Sequence, residues 1–117
     1  MKENKLADLS MTFAIQVVNL VKELRDKKEN IMSKQIARSG TSIGANIREA
    51  NYASSKNDFI NKLHIALKEA NETGYWLELL HKTSYIDKTV FERLEKLCTE
   101  IRVVLIKSLR TAKMGRD

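Results

Sequence analysis

Four sets of side chains in this sequence have types and spacings that could do chemistry. Glu78 and His81 stand three residues apart, the spacing used by carboxylate-bridged di-metal helical bundles. Such a site needs a second Glu-x-x-His pair and two further inward glutamates. His64 has Asn61 three residues before it, and the two histidines lie about 100° apart around a helix, so no metal site is expected. Cys98 could be a nucleophile if a neighbouring His or Lys stabilised its thiolate. It sits in an apolar stripe with neither, and is expected to pack as a small hydrophobe. Asn46 and Glu49, i and i+3, could form a polar site. The favoured reading is a buried hydrogen-bond network that fixes register between helices. Finally, Arg102, Arg110 and Lys113 share one side of a helix with Ile106, flanked by Lys96 and Lys107. Cations spaced in this way can follow a phosphate backbone. The same residues also complement a helix dipole, since Glu92 and Glu95 begin that helix and Arg and Lys end it. No glycine-rich phosphate loop is present. No catalytic residue, metal or cofactor is assigned, and no enzymatic activity is expected.

These side chains are placed by four expected helices. The first spans about Leu6 to Lys27, with Leu6, Leu9, Phe13, Val17, Leu20 and Leu24 in one arc and Met11, Ile15 and Val18 opposite. The second runs from Ser33, read as its N-cap, to Ala53. Met32, Ile36, Gly40, Ile43, Ile47 and Ala50 form its apolar stripe. Beside that stripe lie Gln35, Ser39, Ser42, Asn46 and Glu49. A solvated face would carry Lys and Glu, so hydroxyls and amides here imply that both stripes touch protein. Gly40 and Gly44 stand on neighbouring turns and should let another helix approach closely, which would offset the roughly 1 kcal/mol that each costs within a helix.

Ser55 and Asp58 resemble a capping box and open the third helix. Its stripe is Phe59, Leu63, Ala66, Leu67, Ala70, Gly74 and Leu77, with Ile65, Tyr75, Trp76 and Leu79 lying elsewhere around it. Asp87 caps the fourth. Val90, Leu94, Leu97, Cys98, Ile101, Val104, Leu105 and Leu109 form its stripe, and Lys113 to Asp117 are expected to fray. Short connections between helices of this length predict an all-α, antiparallel up-down-up-down four-helix bundle, one domain over residues 1–117. A bundle of this length encloses one stripe per helix. The second arcs therefore predict a homo-oligomer that covers them, with Trp76 and Leu79 among its interface residues.

Bulk properties set the class. The 117 residues include no proline, one cysteine and a formal charge of +6. Without proline nothing breaks the helices sharply. The lone cysteine excludes an internal disulfide and fits a reducing cytoplasm. The start, MKENKLADLS, lacks the apolar region of a signal peptide, and no apolar run is long enough for a membrane span. The positive excess is concentrated late: five basic residues and no acidic one lie between Ile101 and Arg116. A basic balance permits a polyanionic partner.

The run RSGTSIGANIREA (Arg38 to Ala50), followed by Ser55, Asp58-Phe59, Leu63-His64-Ile65-Ala66, Glu69 and Tyr85-Ile86-Asp87, resembles the bacterial four helix bundle protein family. That family includes proteins encoded within intervening sequences of large-subunit ribosomal RNA genes and the accessory variability protein of diversity-generating retroelements. The likeness covers nearly the whole chain and is most specific in Arg38-Ser39, Ser42-Ile43, Asn46-Ile47 and Glu49. Ala50 stands where the family usually has glycine. The resemblance implies a homopentameric barrel with a basic surface, nucleic-acid binding and, in the retroelement branch, association with a reverse transcriptase.

The expected function is thus a cytoplasmic, non-enzymatic, ring-forming helical bundle that binds RNA or DNA non-specifically. Arg102, Lys107, Arg110 and Lys113 are the expected phosphate contacts, with Arg38 and Arg48 as secondary ones. Gln35, Ser39, Ser42, Asn46, Glu49, Trp76 and Leu79 are expected in the oligomer interface or a buried polar network. The alternative is a scaffold for a protein partner, such as a reverse transcriptase or a ribosome-related protein, without nucleic-acid contact. No membrane association is expected.

Overall fold

Apolar residues recurring every three or four positions fold into four helices: α1 (Lys2–Asp26), α2 (Met32–Asn51), α3 (Lys56–Lys82) and α4 (Lys88–Lys113). The computed structural model describes residues 2–115, with side chains from Lys5 onward. Each helix packs on the next in sequence, and α1 closes the square against α4. The bundle measures 47 × 22 × 20 Å. Cross-helix contacts fix the antiparallel order. Gly40 faces Val17 and Gly44 faces Ser10 between α1 and α2. Glu49 reaches Lys62 and Ser39 reaches Thr73 between α2 and α3. His81 stacks on Phe91 between α3 and α4.

The predicted stripes form one shared core in which Phe13, Val17, Ile36, Ile43, Leu77 and Ile101 are fully buried. The third stripe is wider than its spacing suggested, because Thr73 and Leu80 are also buried. Gly40 and Gly44 both lie against α1, so the close approach they permit occurs within the chain. By contrast Met11, Ile15 and Val18 stay 50%, 55% and 42% exposed on the outer side of α1. No helix among the described residues is long and apolar enough to cross a membrane.

Two of the three expected caps are made as the sequence indicated. Ser55 Oγ accepts from the Asp58 amide at 3.0 Å, and Asp87 Oδ1 accepts from the Val90 amide at 2.9 Å. The start of α2 differs. Ser33 lies inside the helix, and its hydroxyl donates back to the Glu29 carbonyl at 2.6 Å. The capping group is the Glu29 carboxylate, which accepts from the amides of Ile31, Met32 and Ser33 at 3.2, 3.1 and 2.7 Å. A glutamate arm reaches these amides only because Glu29 is folded back by the preceding turn. There Lys28 takes a left-handed φ of 63°, and the Glu29 amide bonds to the Leu24 carbonyl. At the other terminus α4 remains helical to Lys113. Of the segment expected to fray, Arg116 and Asp117 lie outside the described residues.

Candidate nucleic-acid interface

The four cations expected on α4 fall into two groups. Arg102 is partly buried along its own helix, 3.5 Å from the Glu95 carboxylate and donating to Thr99 Oγ1 at 2.9 Å. Lys107, Arg110 and Lys113 are exposed on the last three turns. Among the described residues no carboxylate lies within ion-pair distance of any of them. Val103 and Ile106 are exposed on the same helix, so the cations are set in apolar surface. Such a strip can hold phosphates through mobile, hydrated side chains without first breaking internal ion pairs.

Arg38 and Arg48 differ in the same way. Arg48 is exposed and has no carboxylate partner among the described residues. Arg38 reaches across to α3, where it pairs with Glu69 at 3.1 Å and with Glu72. The two carboxylates sit i, i+3 on one face, opposite the guanidinium. Glu72 also accepts the Trp76 indole N–H at 3.0 Å. Trp76 is half-buried and meets Tyr75 edge-on, with ring centroids 5.0 Å apart. Leu79, one turn further along α3, is half-buried.

This node has a titration consequence. The indole hydrogen bond, and after it the Arg38 guanidinium, hold the Glu72 carboxyl below its ordinary value of 4.5. A carboxylate lowered on folding contributes stability that is complete above its unfolded value and is lost as pH falls through the folded one. Trp76 is the sole tryptophan and reports the event directly. Its emission should change with a midpoint below 4.5, and Arg38→Ala should move that midpoint upward. Emission that stays flat until global acid unfolding would show that the indole–carboxylate bond does not form in solution.

The polar stripe of α2 is distributed among different partners. Ser39 is fully buried, and its Oγ accepts from Thr73 Oγ1 at 2.9 Å. Ser42 donates to the Ser39 carbonyl at 3.0 Å, and Asn46 donates to the Ser42 carbonyl at 2.9 Å, both within α2. Gln35 is half-buried, and exposed Glu49 lies 3.3 Å from Lys62 on α3. Ser39–Thr73 and Glu49–Lys62 are therefore the links from this stripe to α3.

The other candidate groups are held in different settings. Burial pushes the Cys98 thiol up to about 11, and its Sγ lies 3.4 Å from the Ala70 carbonyl. His81 stacks flat on Phe91 at 4.6 Å, and Glu78 lies 3.9 Å from Lys82. Among the described residues no group of three or more His, Cys, Asp or Glu side chains is placed to hold a metal ion. Gly74 opens a shallow groove of about 310 Å³ between α3 and α4. Glu78, Glu95 and Arg102 line it, and with Arg102 paired to Glu95 the groove offers an anion no free cation among the described residues.

Sequence reasoning passed over two cations near the strip. Lys56 opens α3, with its Nζ 3.7 Å from where a side chain on Gly115 would begin. Lys5 is exposed near the start of α1. Antiparallel topology brings both to the same end as the close of α4, a proximity that no periodicity within one helix could have signalled.

The model of the family described as 23S rRNA-intervening sequence protein matches residues 2–107. A crystal structure from Bacteroides thetaiotaomicron VPI-5482, of a protein with unknown function from the S23 ribosomal protein family, aligns with a TM-score of 0.92. The two chains are 58% identical, and the match covers 95% of this chain and 100% of that one. No curated protein matches the sequence.

Proposed function

The chain belongs to the 23S rRNA-intervening sequence protein family, and from that premise we propose that it is a cytoplasmic, non-enzymatic bundle that binds RNA or DNA without sequence preference. The observation that carries this reading is the end of α4. Lys107, Arg110 and Lys113 are exposed and have no carboxylate partner among the described residues. Their contacts would be to phosphate, which positions a strand without reading its bases. Arg48 can add to them. Arg38 and Arg102 are engaged in internal ion pairs and would have to exchange partners.

We also propose a ring of identical subunits, a homopentamer as the resemblance implies, with Met11, Ile15 and Val18 of α1 covered by a neighbour. Contiguous apolar exposure of this kind is what association covers. The same feature supports a second reading, an adaptor for a protein partner such as a reverse transcriptase or a ribosome-related protein.

Native mass spectrometry of protein purified without nuclease discriminates the readings. A pentamer carrying heterogeneous nucleic-acid mass is expected. A bare pentamer would favour the adaptor, and a monomer would overturn the ring.

A further inference from the structure

We propose that the RNA contact surface is one end of the bundle, built jointly by all four helices, rather than a strip along α4. The proposal rests on the nucleic-acid reading above and adds where the strand lies. The end in question is formed by the start of α1, the close of α2, the start of α3 and the close of α4. It carries Lys5, Arg48, Lys56, Lys107, Arg110 and Lys113, all exposed. Among the described residues none of the six lies within 4.0 Å of a carboxylate oxygen. The described carboxylates at this end are Asp8, Glu49 and Asp58. Glu49 is matched by Lys62, and Asp58 faces the Ser54 amide.

The rest of the molecule is nearly balanced. At the opposite end seven acidic residues, Glu23, Asp26, Glu29, Glu78, Asp87, Glu92 and Glu95, are interleaved with nine basic ones. In the middle Arg38, Lys68 and Arg102 are balanced by Glu69, Glu72 and Glu100, with Arg38 paired to the first two carboxylates. Among the described residues most of the net positive charge thus lies on one face of about 22 × 20 Å. A polyanion several phosphates long matches that width, and among the described residues it is the scarcity of acids rather than cation number that sets this end apart.

A fluorescently labelled, mixed-sequence single-stranded RNA is the probe. Lys56→Glu with Arg110→Glu reverses two cations on different helices at this end. Lys22→Glu with Lys34→Glu makes the same change in net charge at the opposite end, on residues that are also exposed. Binding is titrated across a salt series. The first pair should weaken binding at least about tenfold and make the plot of log affinity against log salt shallower by about 1.4, the value for two lost single-strand phosphate contacts. The second pair should change affinity by less than about threefold. The neutral pair Lys56→Gln with Arg110→Gln should reproduce the direction of the first and separates lost contacts from repulsion or misfolding. Equal losses in both reversed pairs, or none in the first, would overturn the end surface while leaving RNA binding intact. An unmodified protein that does not bind the probe would overturn the nucleic-acid reading itself.

Discussion

Gly40→Leu is expected to lower stability by about 2–3 kcal/mol, a large share of the 5–15 kcal/mol that holds a typical domain folded. A side chain placed on Gly40 would begin 2.9 Å from Val17 Cγ1 and 3.0 Å from Val17 Cγ2, closer than carbon atoms tolerate. Val17 cannot swing away. It is fully buried, and a β-branched residue in a helix has essentially one rotamer. Alanine at this position gains about 1 kcal/mol of helix propensity and loses about as much or more to the clash, so its net effect should be small and unfavourable. Leucine adds three further carbons with no space to receive them. The melting midpoint should fall by roughly 10–15 °C for a chain of this size. Val17→Ala combined with Gly40→Leu should recover part of the loss, because the two residues meet directly. A midpoint unchanged by Gly40→Leu would mean that α1 and α2 do not approach as described. Gly44 is the milder site: a side chain there would meet Ser10 Oγ at 3.2 Å.

The glycine pair shows how far the sequence could be read. Two glycines one turn apart announce a close helix contact. They do not say which helix comes close or which glycine bears the tighter contact, since both depend on register. The apolar stripes were legible for the same reason that the partners were not. Burial repeats with the helix period and can be counted along one segment. Pairing depends on how two segments slide past each other. Arg38 could be seen to be basic, and Glu69 and Glu72 could be seen to share a face. Only the antiparallel register of α2 and α3 shows that they neutralise one another. The cationic end was hidden in the same way, because Lys5, Arg48 and Lys56 come from three helices and adjoin the α4 residues only once the chain is folded. The caps divide along a different line. Ser55 and Asp87 sit at the helix boundary, where short oxygen-bearing side chains bond an amide three residues on. The cap of α2 comes instead from a longer residue before the boundary.

That cap is the second site where a single change should have a large effect. Glu29→Ala removes an acceptor from three amides at once, those of Ile31, Met32 and Ser33. The first amides of a helix have no partner within it, and their combined partial positive charge favours a carboxylate. Loss of an ordinary cap costs about 0.5–2 kcal/mol. This one should cost more, about 2–3 kcal/mol, because Glu29 is only 6% exposed and Ser33 only 1%, so water cannot replace the missing acceptor without opening the corner between α1 and α2. Glu29→Gln is the sharper test of the mechanism. It keeps the length and one acceptor oxygen but turns an NH2 group toward amides that are themselves donors. It should therefore recover only part of the stability. Glu29→Asp should recover little, since the shorter arm cannot span the same three amides. Urea unfolding would rank the variants, and hydrogen exchange would show faster exchange confined to residues 31–33 before the rest of α2. If Glu29→Gln were as stable as the unmodified protein, length and packing would account for the site and the charge would not. If Glu29→Ala were equally stable, the start of α2 would be set by the apolar contacts of Met32 and Ile36 alone.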